Sequence, residues 1–143
     1  MVKQILQNLN NHPGLILFNP ASNNDIVKLN HFLTDYKALD LPEDYQDFLR
    51  LTDGLIFNDL ELYGCHCRAR PGYEFPSIEF IYKLTLDNSF FRNNIILGLL
   101  SEEIVVYNYT NSFYSLIDRV TLDYLIQYSS FKELLAYLTV SEN

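Results

Sequence analysis

No tryptophan, one methionine, two cysteines and five glycines occur in this chain of 143 residues, and ten lysines and arginines face eighteen acidic residues. Each shortage closes off a class of function. Two cysteines cannot build the disulfide framework of a small secreted scaffold. A closed zinc site needs four ligands, usually two separated pairs. Cys65-His66-Cys67 is one cluster without a second pair, because His12 and His31 lie far upstream. No metal and no other cofactor is expected. So few glycines leave no phosphate-cradling loop, and there is no G-x-S-x-G elbow to expose a serine nucleophile. Paired carboxylates such as Glu43/Asp47 and Glu102/Glu103 fit a solvated surface better than acid–base machinery. The chain is read as having no catalytic residues.

Shortage of positive charge matters as much. A net charge of −8 makes nucleic acid a poor partner, since binding it depends on neutralising phosphates with Lys and Arg. No apolar run approaches membrane-spanning length, so no membrane partner is expected. The N-terminal MVKQILQNLNNHPG lacks the apolar centre and small-residue cleavage site of a signal peptide, which predicts a cytoplasmic location. Asn108-Tyr109-Thr110 matches a glycosylation sequon, but nothing else points to secretion.

What the chain does have is aromatic and acidic. Eleven Tyr and ten Phe suit a sheet surface, a core and an interface alike, because a tyrosine can bury its ring and keep its hydroxyl wet. Eight acidic residues lie between Asp35 and Glu61 against Lys37 and Arg50, so this segment carries −6 of the −8. Such a field suits a basic protein partner, and it also serves solubility.

Within it, Leu41 to Gly64 is the most structured stretch. Pro42 suits a first helical position. Tyr45, Phe48, Leu49 and Thr52 fall on one side at helical spacing, with Glu43, Asp47 and Arg50 opposite. Asp53-Gly54 stops the helix, because glycine takes positive φ without a Cβ clash. On this reading Glu43, Asp44 and Asp47 are surface charges whose reversal leaves the fold intact.

Around that stretch, the spacing predicts helices over 2–10, 23–37 and 42–52, the second opened by a capping box at Ser22-Asn23-Asn24-Asp25. Leu15 to Phe18 is a short apolar run between breakers. After Gly54 the period becomes extended, with strands over 55–57 and 60–67, a loop over 68–76 and an alternating strand over 77–86. A polar loop around Phe90-Phe91 precedes strands at 95–99, 104–109 and 113–117, the last two a hairpin. Residues 121–127 fit helix or strand. Ser129/Ser130 cap a closing helix bearing Phe131, Leu134, Leu135 and Leu138. Helices, then antiparallel strands, then a helix predict one α+β domain over 1–143 with N-terminal helices packed on the sheet.

These motifs, in this order, resemble the SUKH superfamily, the Smi/Knr-type proteins first known as regulators of yeast cell-wall glucan assembly. The likeness rests on the Leu41-Pro42 entry, the Asp53-Gly54 stop, Ile96-Leu97-Gly98, the hairpin Ile104-Val105-Val106-Tyr107 with Phe113-Tyr114-Ser115-Leu116, and the closing Ser130-Phe131-Lys132-Glu133-Leu134-Leu135. Ser101-Glu102-Glu103 and Asp118-Arg119 are similar to the YrhA-like branch. Members often carry Asn-Gly at the stop and a second Gly where Leu55 stands, and this chain has neither. The resemblance implies an immunity protein that binds and neutralises a partner toxin, such as a nuclease, without catalysis or cofactor. The fungal members imply a regulatory or scaffolding role in cell-wall synthesis as the alternative. A small-ligand or metal sensor built on Cys65-His66-Cys67 is a third reading. The resemblance places partner contacts near the strands, which makes Tyr63, Tyr73, Tyr107 and Tyr109, with Glu102, Glu103 and the acidic helix face of Glu43, Asp44 and Asp47, the candidate binding residues.

Overall fold

Leu33, Phe48 and Phe131, from three different helices, are all completely buried, and the sheet beneath them explains the packing. The computed structural model describes residues 2–37 and 39–140. The elements run α1 (Val2–Leu9), β1 (Leu15–Leu17), α2 (Asn23–Lys37), α3 (Glu43–Leu51), β2 (Leu55–Phe57), β3 (Leu60–Leu62), β4 (Arg68–Arg70) and β5 (Tyr73–Phe75). They continue with α4 (Ile78–Leu84), a 3-10 turn (Ser89–Arg92), β6 (Asn94–Leu100), β7 (Glu103–Asn108), β8 (Phe113–Asp118), β9 (Tyr124–Tyr128) and α5 (Phe131–Val140). Seven strands form one antiparallel sheet in the order β1-β2-β3-β6-β7-β8-β9. β4 and β5 form a separate two-stranded ribbon. This is the α+β arrangement read from the change of period at Gly54.

Alternation along the strands gives the sheet two apolar faces. Leu97, Val105, Tyr114 and Leu116 join the main core, shared with Leu6 and Leu9 of α1, Tyr45, Phe48 and Leu49 of α3, and Leu134, Leu135 and Leu138 of α5. Ile104, Val106 and Ile117 face the other way, into a smaller cluster closed by Phe91 with Phe90 and Leu122. A polar loop was expected around Phe90-Phe91, and its two rings are instead the cover of the second face.

Three readings of local structure are corrected. Residues 78–84 are a helix, not a strand. Ser77 caps it by accepting from Phe80 N at 3.1 Å, and Glu79 and Lys83 pair across one turn at 3.3 Å. Ile78 and Tyr82 are buried, whereas Phe80 and Leu84, assigned to the same strand face, are 49% and 68% exposed. An apolar residue at every second position fits a strand, but Ile78, Ile81 and Tyr82 also keep helical spacing toward the core, and the Ser77 cap starts that helix. The loop expected over 68–76 holds the β4–β5 ribbon, turning at Pro71-Gly72, with Gly72 at φ +81°. The strand expected over 60–67 ends at Leu62, so Cys65 and Cys67 do not share a strand face; Cys65 is half-buried and Cys67 exposed. Of residues 121–127, left open between helix and strand, those from Tyr124 on belong to strand β9 (Tyr124–Tyr128).

Candidate partner-binding surfaces

Asp44 does not stand free on the acidic helix. Its Oδ2 accepts from the backbone N–H of Phe131 at 2.8 Å, and its Oδ1 accepts a short hydrogen bond from the Tyr114 hydroxyl. One carboxylate of α3 therefore caps α5 and anchors β8. Burial, then the bond to Asp44, pushes the Tyr114 hydroxyl far above the usual phenol range. The expectation that Asp44 can be reversed with the fold intact is thus corrected: a lysine there would leave Phe131 N and a buried hydroxyl without an acceptor.

Its two neighbours do reach solvent. Asp47 pairs with Arg50 at 2.8 Å, and Arg50 also donates to Asn23 Oδ1 at 3.1 Å. Glu43 is exposed and makes no ion pair among the described residues.

The tyrosines differ in exposure. Tyr63 is buried, with its ring on Phe75 and its hydroxyl donating to Glu61 Oε1 at 3.2 Å; burial and the Glu61 charge raise its ionisation. Tyr107 is half-buried between Tyr109 and Tyr114, with ring centroids at 5.3 and 4.8 Å, and packs toward the helices. Tyr109 is likewise half-buried, its hydroxyl raised by burial and lacking a hydrogen-bond partner among the described residues. Tyr73 alone stands well out, 47% exposed on the ribbon. Glu102 is exposed in the β6–β7 turn, and Glu103 is half-buried opposite Asp118. The nine residues lie on several elements: Glu43, Asp44 and Asp47 on α3, Tyr73 on the ribbon, Glu102 on a turn, and Tyr107 on β7 with its ring against Tyr109.

A second centre escaped the sequence reading. Asp53 is completely buried, because Gly54 at φ +99° folds the chain back and Gly64 passes so close that a Cβ there would lie 2.2 Å from Asp53 Oδ1. Its Oδ1 accepts from Cys65 N at 2.6 Å. Its Oδ2 faces His66 Nδ1 at 2.8 Å and accepts from Arg68 Nη2 at 3.0 Å. The guanidinium of Arg68 lies over the Phe18 ring at 5.0 Å. His66 turns its other nitrogen to Asp25 Oδ1 at 3.5 Å. The Asp25 carboxyl is held below its usual range, chiefly by the backbone N–H of Ser22 and then its hydroxyl. One histidine thus ties α2 to the α3–β2 junction.

This cluster opens on a cleft of about 210 Å³ lined by Asp25, Lys28, Leu29, Cys65, His66 and Glu79. Its chemistry is that of a structural tie. Both nitrogens of His66 face carboxylates, so neither is aimed at a hydroxyl or thiol as a general base would be. Burial, then the Asp53 charge, pushes the Cys65 thiol up to about 12, which keeps it protonated and a poor nucleophile. No group of three or more His, Cys, Asp or Glu among the described residues is placed to hold a metal ion. Asp-Gly after a helix reads as a stop, and nothing in the sequence marks that aspartate as buried.

No helix among the described residues is long and apolar enough to cross a membrane. Neither the protein-family models nor the curated proteins compared with the chain give a match.

Proposed function

We propose that the chain is a SUKH-type protein-binding module, an immunity protein that binds a partner toxin of basic character and blocks it sterically, without catalysis or cofactor. The observation that carries the reading is the order of motifs. A Leu-Pro helix entry, an Asp-Gly stop, an antiparallel hairpin and a Ser-Phe closing helix succeed one another over nearly the whole chain. The element order supports it, with α3, the β7–β8 hairpin and α5 in that sequence around one sheet. The net charge of −8 and the exposed Glu43 and Asp47 are compatible with a basic partner, since complementary fields speed encounter.

Co-expression with the product of a neighbouring toxin-like reading frame tests the proposal. Rescue of growth, with the two chains co-purifying, supports it. A toxin that still kills and elutes alone contradicts it, and co-purification with envelope-synthesis proteins would move the reading to the regulatory role of the fungal members.

A further inference from the structure

Among the described residues, β9 closes one end of the sheet: it pairs with β8 on one side and with no strand on the other. An edge strand presents unpaired N–H and C=O groups, and natural proteins usually guard it with charge, proline or a bulge. The opposite edge is guarded in this way, since β1 is three residues long and flanked by Pro13 and Pro20. β9 is longer, and Tyr124-Leu125-Ile126-Gln127-Tyr128 holds neither charge nor proline. Its single irregularity is a register shift that leaves Leu125 without a partner on β8. Ile126, Gln127 and Tyr128 beyond it pair regularly with Leu116, Ser115 and Tyr114.

Beside this edge lies an open groove of about 510 Å³ between β9 and α5, lined by Tyr128, Glu133, Ala136, Tyr137 and Val140. The rings of Tyr128 and Tyr137 meet in a tilted contact, centroids 6.1 Å apart, and the small Ala136 also lines the groove. Ile126 and Tyr128 face the helix side, packed against the main core. A strand added to β9 would send every second side chain to that same side, into the groove. Open edge and groove are therefore in register for one occupant.

Charge narrows the occupant. Among the described residues Glu133 is the only charged one lining the groove; the hydroxyls of Ser130 and Ser129 lie 2.9 and 3.4 Å from its Oε1, and no cation among them pairs with it. A second copy laid edge to edge would bring another β9, which has no cation to offer. We infer that β9 and this groove take an extended segment of the partner protein as an eighth strand, with alternating apolar side chains and one Lys or Arg set against Glu133. Main-chain hydrogen bonds supply affinity in such strand addition, and the groove supplies selectivity. The inference rests on the reading of the chain as a protein-binding module and names where and how it binds.

The test uses the whole chain, labelled with ¹⁵N and titrated with three blocked peptides. One alternates valine and threonine around a single lysine, one replaces that lysine by glutamate, and one interrupts the alternation with prolines. The lysine peptide should shift amides in Tyr124–Tyr128 and Glu133–Val140 and slow exchange along β9. The glutamate peptide should bind severalfold more weakly, and the proline peptide should not bind. Ala136→Arg should abolish these shifts by filling the groove. Val140→Arg should do the same from an exposed helix end where a cation suits the helix dipole, so a folding defect in one variant leaves the other to decide. Shifts elsewhere, or none up to the peptide's solubility limit, overturn the inference. A concentration-dependent dimer that Val140→Arg dissolves overturns it too, in favour of a second copy. A toxin that is neutralised while its footprint avoids β9 removes the inference and leaves the proposed function standing. Peptide addition at β9 with no toxin neutralised removes the proposed function alone.

Discussion

Asp44 and Phe131 lie 87 residues apart, yet the carboxylate of the first accepts the backbone N–H of the second at 2.8 Å. The acidic helix and the closing helix are thereby one unit, and the same carboxylate holds the Tyr114 hydroxyl of the hairpin between them. Replacing it by alanine removes a helix cap and orphans a buried hydroxyl. Asp44→Ala should cost about 2–4 kcal/mol in urea unfolding, and Asp44→Asn less, because an amide oxygen still accepts. An alanine variant as stable as the parent would refute the clasp.

Charge reversal on the same helix separates surface from structure. Glu43→Lys with Asp47→Lys should leave the fold intact, as both side chains are exposed. Against a basic toxin the double variant should associate more slowly, with a weaker dependence on salt, because exposed charges steer encounters more than they hold complexes. Stopped-flow binding at two salt concentrations checks this, and an unchanged on-rate would remove the helix from the mechanism.

Gly54 is strained for any other residue. Its φ is +99°, and a Cβ there would sit 2.7 Å from the Leu62 carbonyl oxygen. Gly54→Ala should destabilise by about 1 kcal/mol or more on backbone grounds alone, and Gly54→Val further. Thermal melts of the two variants give the order directly.

The α2 helix from Asn23 to Lys37 and the positive φ of Gly54 were legible in the sequence because local chemistry decides them, through a capping box and a glycine stop. The α4 helix was not, because Ile78, Phe80, Tyr82 and Leu84 satisfy a strand period, and it takes the helical set Ile78, Ile81 and Tyr82 with the Ser77 cap to override it. Strand β9 was ambiguous for the opposite reason: as an edge strand it buries so little that its pattern carries no clear period. Among candidate binding residues, the sequence places charge and aromatics but not their partners. Asp44 and Asp53 look like surface acids until Phe131 and Arg68, remote in sequence, are brought to them. Glu133 was read only as part of the closing helix and Tyr137 was not singled out, since a groove beside an open edge exists only once the strand order is known.

Asp53 makes stability depend on Arg68. Removing the guanidinium while the carboxylate stays buried leaves a charge with less compensation, so Arg68→Met should cost about 3 kcal/mol in urea unfolding. His66→Ala should cost less, since Arg68 and the Cys65 N–H remain on the carboxylate.

Acid should loosen the α2 start. The Asp25 carboxyl lies below its ordinary value of 3.8 in the folded chain, first through the Ser22 N–H and then the Ser22 hydroxyl. A depressed folded value means that its contribution is fully present above the ordinary value and is lost as pH falls through the folded one. Asp25→Asn should therefore melt below the parent at neutral pH, with the gap closing as the pH drops under the ordinary carboxylate range. A gap that stays constant with pH would exclude a contribution from ionised Asp25.

The claim that the chain blocks a toxin by occupying it is tested most directly by titrating purified toxin activity against purified chain. The account predicts immediate inhibition that reaches completion at one chain per toxin molecule and reverses when the complex is dissociated. Progressive loss of toxin activity at a small fraction of that ratio, or full activity at an excess of chain, would contradict it.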